Sequence, residues 1–483
     1  MLVGREKEIK KLHELYNSGS AELVAVYGRR RVGKTYLIDE AFEGKISFRH
    51  SGLSPIDDRD ATVKGTAMKD QLLHFHRSLM MHGLKDNRIP TSWLEAFYML
   101  EDLLNEKYTD KERILIFIDE IQWLDTPRAR FITGFEAFWN GWACHKKNIM
   151  VIVCGSSSSW ILDNMINNHG GLYGRVTCEI KVHPFSLNET KRFFESKGIE
   201  MSGYDIVQSY MMVGGIPFYL RQFSRELSLP QNIDAIFFSS KAPLKNEFDR
   251  MFASLFTNAD TMKRIIRAIG SKNKGITRFE LTQITGIADS GDLSKQLNAL
   301  MAGDFIIRYS SFGDSKRNTC YKLIDPFCIF YLSFMDDDRS GKKINWINIE
   351  DSARVTAWKG IAFENVCWNH TEQIKMALQI AGVSTTESLW AKRGDGDSAG
   401  TQIDLIIARK DNVVNMCEMK FYSTEFEVDK EYHLVLENRK KLLRDIIPKK
   451  ATVHNTLITT YGLRKRGYWS DFVRVITIDQ LFS

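Results

Sequence analysis

The chain has 483 residues, of which 43% are hydrophobic and 26% charged, and its formal net charge is +6. These values are ordinary for globular protein, supply apolar material for several cores, and permit nucleic-acid contact without arguing for it. The seven scattered cysteines form no CxxC pair and no Cys/His cluster, no apolar run reaches the length of a membrane span, and the charged N-terminus has no signal-peptide core, which excludes a zinc ribbon or a membrane helix and fits a reducing cytoplasm.

In chain order, residues 1–20 read as a short strand-turn and a charged helix. AELVAVYG (21–28) is a strand, and a helix starts at Lys34. KISFRHSG (45–52) is a second strand, followed by a polar, mobile loop over 53–72. TSWLEAFYMLEDLLNEKY (91–108) has helical spacing. ILIFIDE (114–120) and NIMVIVCGSS (148–157) are apolar strands. Strands alternating with helices predict an α/β class with a parallel sheet covered on both faces. From 186 the pattern is helical. Between 259 and 336, TMKRIIRAIG, RFELTQITGI and GDLSKQLNALMAG precede the strand-like FIIRYSS and CYKLID, the order of a winged helix. DDDRSGKK (336–343) reads as a linker. FENVCWNHTEQIKMALQIAG is helical, TQIDLIIARK (401–410) and NVVNMCEMKF (412–421) are a candidate hairpin, and LITTYGL (457–463) and VRVITI (473–478) are further strands.

Residues 28–35, GRRRVGKT, match GxxxxGK[ST] between a strand and a helix. In that setting the backbone of Gly28, Arg29, Arg30, Arg31, Val32 and Gly33 wraps phosphates, because glycines allow close approach and the helix start favours negative charge. Lys34 is expected at the terminal phosphates, Thr35 at Mg2+, and Tyr36 just inside the helix. The arginine side chains are expected to face solvent or a partner, with some in reach of phosphate. Asp119 is the candidate Mg2+ partner. Glu120 is the candidate group that polarises the attacking water, or else a solvated loop acid. The implied cofactors are ATP and Mg2+.

These residues resemble the STAND-type branch of AAA+ ATPases, especially the archaeal-type ATPases of prokaryotes. VGREKEIKKL resembles the hhGRxxE box, which implies that Gly4 and Arg5 border the adenine. IDEIQWL (118–124) resembles the extended Walker B strand. CGSSSSWI (154–161) falls at the sensor strand, making Ser156 a sensor candidate. GGIPFYL (214–220) resembles the GxP box, placing Pro217 near the base. LYGRVTCEIKVHPFS (172–186) resembles a segment with a GR step, so Arg175 is either an arginine finger or sensor, or a surface arginine. The resemblance implies a P-loop core over 1–185, a helical lid over 186–258 and a winged helix over 259–336.

A second constellation lies near the C-terminus. Glu418 and Lys420 are two apart on a strand and share a face, Asp404 can join them from the adjacent strand, and Glu364 can come from a preceding helix. Acids and a lysine on one sheet face can bind a metal through Asp404 and Glu418 and activate water, with Lys420 steadying developing charge. The other reading is a salt-bridged hairpin. The order helix, hairpin, helix, strand resembles the PD-(D/E)XK nuclease superfamily, and the stretch also resembles the C-terminal domain that accompanies archaeal-type ATPases. That implies a restriction-endonuclease-like domain over 344–483 with DNA as a candidate partner; a homo-oligomer is a separate candidate, which Arg175 acting as a finger from a neighbouring subunit would require. Two basic features remain two-sided. The third helix of the winged-helix segment carries only Lys295, so it reads as a DNA-recognition element or as a spacer. NRKKLLRDIIPKK (438–450) is a nucleic-acid track or a solvated helix face. The function these readings imply is a nucleotide switch controlling a DNA-processing or defence nuclease; the alternative is a signalling or assembly scaffold whose C-terminal domain is catalytically inert and only binds a partner.

Overall fold

The computed structural model describes residues 2–54, 67–167, 170–313, 319–336, 344–392 and 401–483. The chain forms two compact units: Met1–His183 with Ser254–Thr257, and Pro184–Ala253 with Asn258–Ser483.

The first unit is built on five parallel strands: β1 (Glu22–Tyr27), β2 (Phe48–Ser51), β3 (Ile114–Asp119), β4 (Ile149–Gly155) and β5 (Cys178–Lys181). Their order is β2-β3-β4-β1-β5. Every residue of β1, β3 and β4 is buried, as continuous apolar runs require when helices cover both faces. One face packs on aromatic side chains: Phe75 from helix Met68–Met81, Trp93 and Phe97 from helix Trp93–Lys107, and Phe131, Phe135 and Phe138 from helix Phe131–Gly141. Helix Met68–Met81 begins inside the stretch expected to be a mobile loop, because Asp70 accepts the Ala67 amide and fixes the first turn; residues 55–66 of that stretch lie outside the described residues. Since all five strands are parallel, the carboxyl ends of β1, β3 and β4 meet along one edge, the place where open α/β sheets bind ligands.

The second unit opens with helices Leu187–Ser196 and Gly203–Val213, the first started by a reciprocal Ser186/Glu189 cap. Helices Ala259–Gly270, Arg278–Thr285 and Gly291–Ala302 follow. With them goes an antiparallel sheet of β6 (Ile276–Thr277), β7 (Ile306–Ser310) and β8 (Thr319–Leu323), in the order β6-β8-β7. At the start of the expected linker, Asp336 is buried and takes two hydrogen bonds from Arg267, at 2.9 and 3.2 Å. Residues 337–343 lie outside the described residues.

After helices Ala353–Asn369 and Thr371–Ala377 comes a second five-stranded sheet: β9 (Thr385–Lys392), β10 (Thr401–Arg409), β11 (Val413–Lys420), β12 (Thr452–Thr459) and β13 (Arg474–Thr477), ordered β13-β12-β11-β10-β9. β9, β10 and β11 run antiparallel, whereas β12 lies parallel to β11. A parallel return needs a crossover, and helix Lys430–Arg444 supplies it. Among the described residues, no helix is long and apolar enough to cross a membrane.

Candidate functional site

The glycine-rich loop leaves β1 at Gly28, whose φ is 149°. A Cβ there would lie 2.3 Å from the Val182 carbonyl oxygen, so a side chain cannot enter without displacing backbone. Arg31 (φ 72°) and Gly33 (φ 91°) then turn the chain into helix Lys34–Ala41. Lys34 is 5% exposed, and its Nζ donates to the carbonyls of Gly28 (3.0 Å) and Arg29 (3.1 Å). Arg29 is buried, so the expectation that the loop arginines face solvent is corrected there. Its position directly after the Gly28–Val182 approach draws it into the fold, while Arg30 and Arg31 stay half-buried and Tyr36 is exposed.

Thr35 follows on the first helical turn, and its Oγ1 donates to Asp119 Oδ2 at 2.8 Å. Burial pushes the Asp119 carboxyl above the usual carboxylate range and Glu120 adds to this, against bonds from Thr35 and Cys154. A hydroxyl and a desolvated carboxylate side by side, next to a phosphate loop, suit the oxygen-only, partly hydrated coordination that Mg2+ takes. The residues present therefore fit this ion.

Glu120 adopts a left-handed conformation (φ 46°) just past β3. Its Oε2 accepts from Ser156 Oγ (2.6 Å), Gln122 Nε2 (2.5 Å) and the Ser156 amide (3.1 Å). Ser156, the sensor candidate, is thus tied directly to the candidate base, and Gln122, inside IDEIQWL but given no role there, is a third member. Arg5 is 5% exposed and donates to the His183 carbonyl (2.5 Å) and the Val32 carbonyl (3.4 Å), with Gly4 beside it at φ 70°. It clamps the loop to the chain leaving β5. Arg5→Ala should lower stability by about 1–3 kcal/mol, since the buried Val32 carbonyl and the part-buried His183 bond lose a charged donor, and should weaken nucleotide binding; thermal melts and an ATP titration measure both. Arg175 is exposed in a turn ahead of β5, and Pro217 opens the short helix Pro217–Leu220 of the second unit.

In the second unit, the structure gathers Glu364, Asp404, Glu418 and Lys420 around one face of the second five-stranded sheet. It also adds three residues that sequence reasoning passed over: Lys322, Tyr432 and Arg439. Glu418 is fully buried. Its Oε1 accepts from Arg439 Nη1, and its Oε2 accepts from Tyr432 Oη at 2.5 Å with Lys420 Nζ at 3.9 Å. Tyr432 and Arg439 lie seven residues apart on helix Lys430–Arg444, two turns along one face. Glu364 meets Lys322 Nζ at 3.7 Å. Burial, then Glu364 and Glu418, push the Asp404 carboxyl up to about 7, against Lys420 and Arg439.

Among the described residues, no group of three or more His, Cys, Asp or Glu side chains is placed to hold a metal. Glu418 is taken up by Arg439 and Tyr432, so the cluster as it stands does not fit a metal ion. Lone signals for the added residues did exist: Lys322 interrupts an apolar strand, and Tyr432 and Arg439 share helical phase.

The raised Asp404 sets a pH dependence. The folded state holds this proton up to about 7, whereas an unfolded aspartic acid releases it near 3.8, so stability falls as pH rises between those values. Asp404→Asn should therefore be more stable than wild type at pH 8, by roughly 2–4 kcal/mol, with the gain gone below pH ~4. Denaturant melts across this range test it, and a constant difference would show that Asp404 is not held protonated.

The parallel sheet and its glycine-rich loop define a P-loop nucleotide-binding protein. Residues 2–223 match the ATPase domain predominantly from Archaea, and the chain carries that archaeal-type ATPase domain. An uncharacterized protein of Methanocaldococcus jannaschii is 26% identical over 417 residues, 85% of each chain. An uncharacterized ATP-binding protein of the same organism is 47% identical over 45 residues, 9% of this chain and 76% of that one. Among solved structures, the Walker-type ATPase of Pyrococcus abyssi shares the fold at 20% identity, covering 69% of this chain and 96% of its own, with a TM-score of 0.50.

Proposed function

We propose that the protein binds and hydrolyses ATP with Mg2+ in its first unit and uses the nucleotide state to control a DNA-directed, nuclease-like second unit. The observation that carries the ATPase part is the Thr35–Asp119 contact beside Lys34 on the glycine-rich loop. Lys34 exchanges its two loop carbonyls for terminal phosphate oxygens. Thr35 and Asp119 hold Mg2+, which offsets phosphate charge when bound. Glu120 accepts the proton of the attacking water, and Ser156, bonded to it, couples that carboxylate to the end of β4. We assign Arg175 to the terminal phosphate, residues 186–258 to a lid, 259–336 to a winged helix and 344–483 to a PD-(D/E)XK-like domain. The helix, antiparallel strands, crossover helix and parallel strand of the last segment support that reading.

A second reading has an observation of its own. Arg439, Tyr432 and Lys322 occupy the acids of the C-terminal sheet, which favours a scaffold with an inert domain. One experiment separates the readings: phosphate release by the purified chain, run beside plasmid nicking with Mn2+ in the presence of ATP or ADP. Nicking in one nucleotide state alone supports the switch. Phosphate release without nicking in either state supports the scaffold, and no phosphate release sinks both.

A further inference from the structure

We propose that the cleft lined by helices Pro326–Phe334 and Ala353–Asn369 is a second small-ligand site, shaped for a nucleoside monophosphate whose base carries an exocyclic amino group. It lies wholly within the second unit and rests on neither the ATPase nor the nuclease-like reading.

The cleft has a volume of about 360 Å³. That is the range of small-molecule sites, far above the voids left by ordinary core packing. One wall is a single face of helix Ala353–Asn369, formed at helical spacing by Arg354, Ala357, Trp358, Ile361 and Asn365. Solvent contact declines along it: Arg354 and Ala357 are exposed, Ile361 is half-buried and Asn365 is buried. The cleft thus runs from an open end at Arg354 to a closed end at Asn365, about 16 Å apart at 1.5 Å of rise per residue. Between them the walls are apolar and flat. The Trp358 ring meets Phe330, Phe334 and Trp346 at centroid distances of 5.5, 5.4 and 6.2 Å, which fixes the indole as a rigid platform.

Each end carries its own chemistry. At the closed end, Asn365 Nδ2 donates to the Ile361 carbonyl one turn back, at 3.1 Å. Asn365 Oδ1 is buried and accepts from no group among the described residues, and Trp358 Nε1 is buried without an acceptor. A buried amide oxygen left unpaired is costly, so one that lines a cleft marks the place of a donor. At the open end, the Arg354 guanidinium donates to the Ser333 carbonyl and lies 5.0 Å from the centre of the Phe334 ring. Arginine has five N–H donors, which leaves several for an anion. Lys272 also lines the cleft, but Glu280 shares its charge at 2.9 Å. The open end therefore suits one phosphate better than three. An acyl carboxylate would satisfy Arg354 and the apolar walls, and leave Asn365 unpaired. A nucleoside monophosphate satisfies all three, with its phosphate at Arg354, its base between the aromatic walls and its amino group at Asn365.

The test titrates AMP into the full chain by calorimetry. Asn365→Leu removes the acceptor at nearly constant volume, and Ala357→Phe fills the exposed part of the cleft. AMP affinity should fall by about tenfold or more in the first and be lost in the second, with both proteins keeping a cooperative melt. Purine riboside 5′-monophosphate, which lacks the amino group, should bind wild type about as weakly as AMP binds Asn365→Leu. Without ligand, Asn365→Leu should melt roughly 1–3 °C above wild type, because methyl groups replace an unpaired buried oxygen.

AMP affinity unchanged in both variants overturns the proposal, since any AMP bound then sits elsewhere. No AMP binding by wild type overturns it too. Tighter binding of decanoate than of AMP would make the cleft an acyl site and remove the nucleotide. A lower melting temperature for Asn365→Leu would show that its amide oxygen is already satisfied, and the argument from the closed end would fall.

Discussion

Lys34→Ala should abolish ATP turnover and weaken ATP binding by about 10²–10⁴-fold, while the chain still folds. The ammonium makes two hydrogen bonds, to the carbonyls of Gly28 and Arg29. In the nucleotide complex these bonds pass to phosphate oxygens as charge-assisted contacts of about 1.5–3 kcal/mol each, which sets the loss. The loop geometry rests on the Gly28 approach to Val182, the turn at Gly33 and the Arg5 clamp, which remain when the ammonium is removed. Titration with a fluorescent ATP analogue and steady-state phosphate release are the measurements. Wild-type values for both would remove Lys34 from the site.

Glu120→Gln should separate binding from hydrolysis. The carboxylate accepts three hydrogen bonds at one oxygen, from Ser156 twice and from Gln122. A glutamine oxygen in the same place still accepts from the Ser156 amide and hydroxyl, so the link between the ends of β3 and β4 persists. What is lost is the ability to take a proton from water. Phosphate release should fall by about 10²–10⁴-fold, with ATP affinity within about twofold of wild type. Single-turnover release, alongside retention of labelled ATP on filtration, measures both. Hydrolysis at the wild-type rate would make Glu120 a structural residue of the β3–β4 link.

The elements at the nucleotide site were legible because each carries a local signal. The loop pattern, the apolar strands ILIFID and IMVIVCG, and the acid pair at 119–120 can be read from neighbouring residues alone. The hairpin at 401–420 was equally readable from its alternation and appears as β10 and β11. β9 was not anticipated, since TTESLWAK mixes polar and apolar residues without a clean period, and its place is set by pairing along β10. Within the acid cluster, Asp404, Glu418 and Lys420 stood out as a spaced set. Lys322 and Glu364 are forty-two residues apart in sequence and meet only in the folded chain. Arg439 lay inside a basic run that reads as a solvated face, yet it turns inward to a fully buried carboxylate. Burial of charge is decided by tertiary packing, which residue type and spacing do not encode.

The close approach of Gly28 to Val182 has a consequence for how occupancy can be observed. Among the described residues β5 is an edge of its sheet and pairs with β1 alone, so its backbone amides open more readily than those of β3 or β4. The Val182 amide donates to the Tyr27 carbonyl at 2.7 Å, immediately before the loop, and its own carbonyl walls off Gly28. Opening that edge releases the template against which the loop is shaped. A ligand that binds only the shaped loop must therefore hold the edge closed. Bound nucleotide should slow hydrogen exchange at the Val182 amide, which places a reporter of the loop's state just past a strand that carries none of its motif.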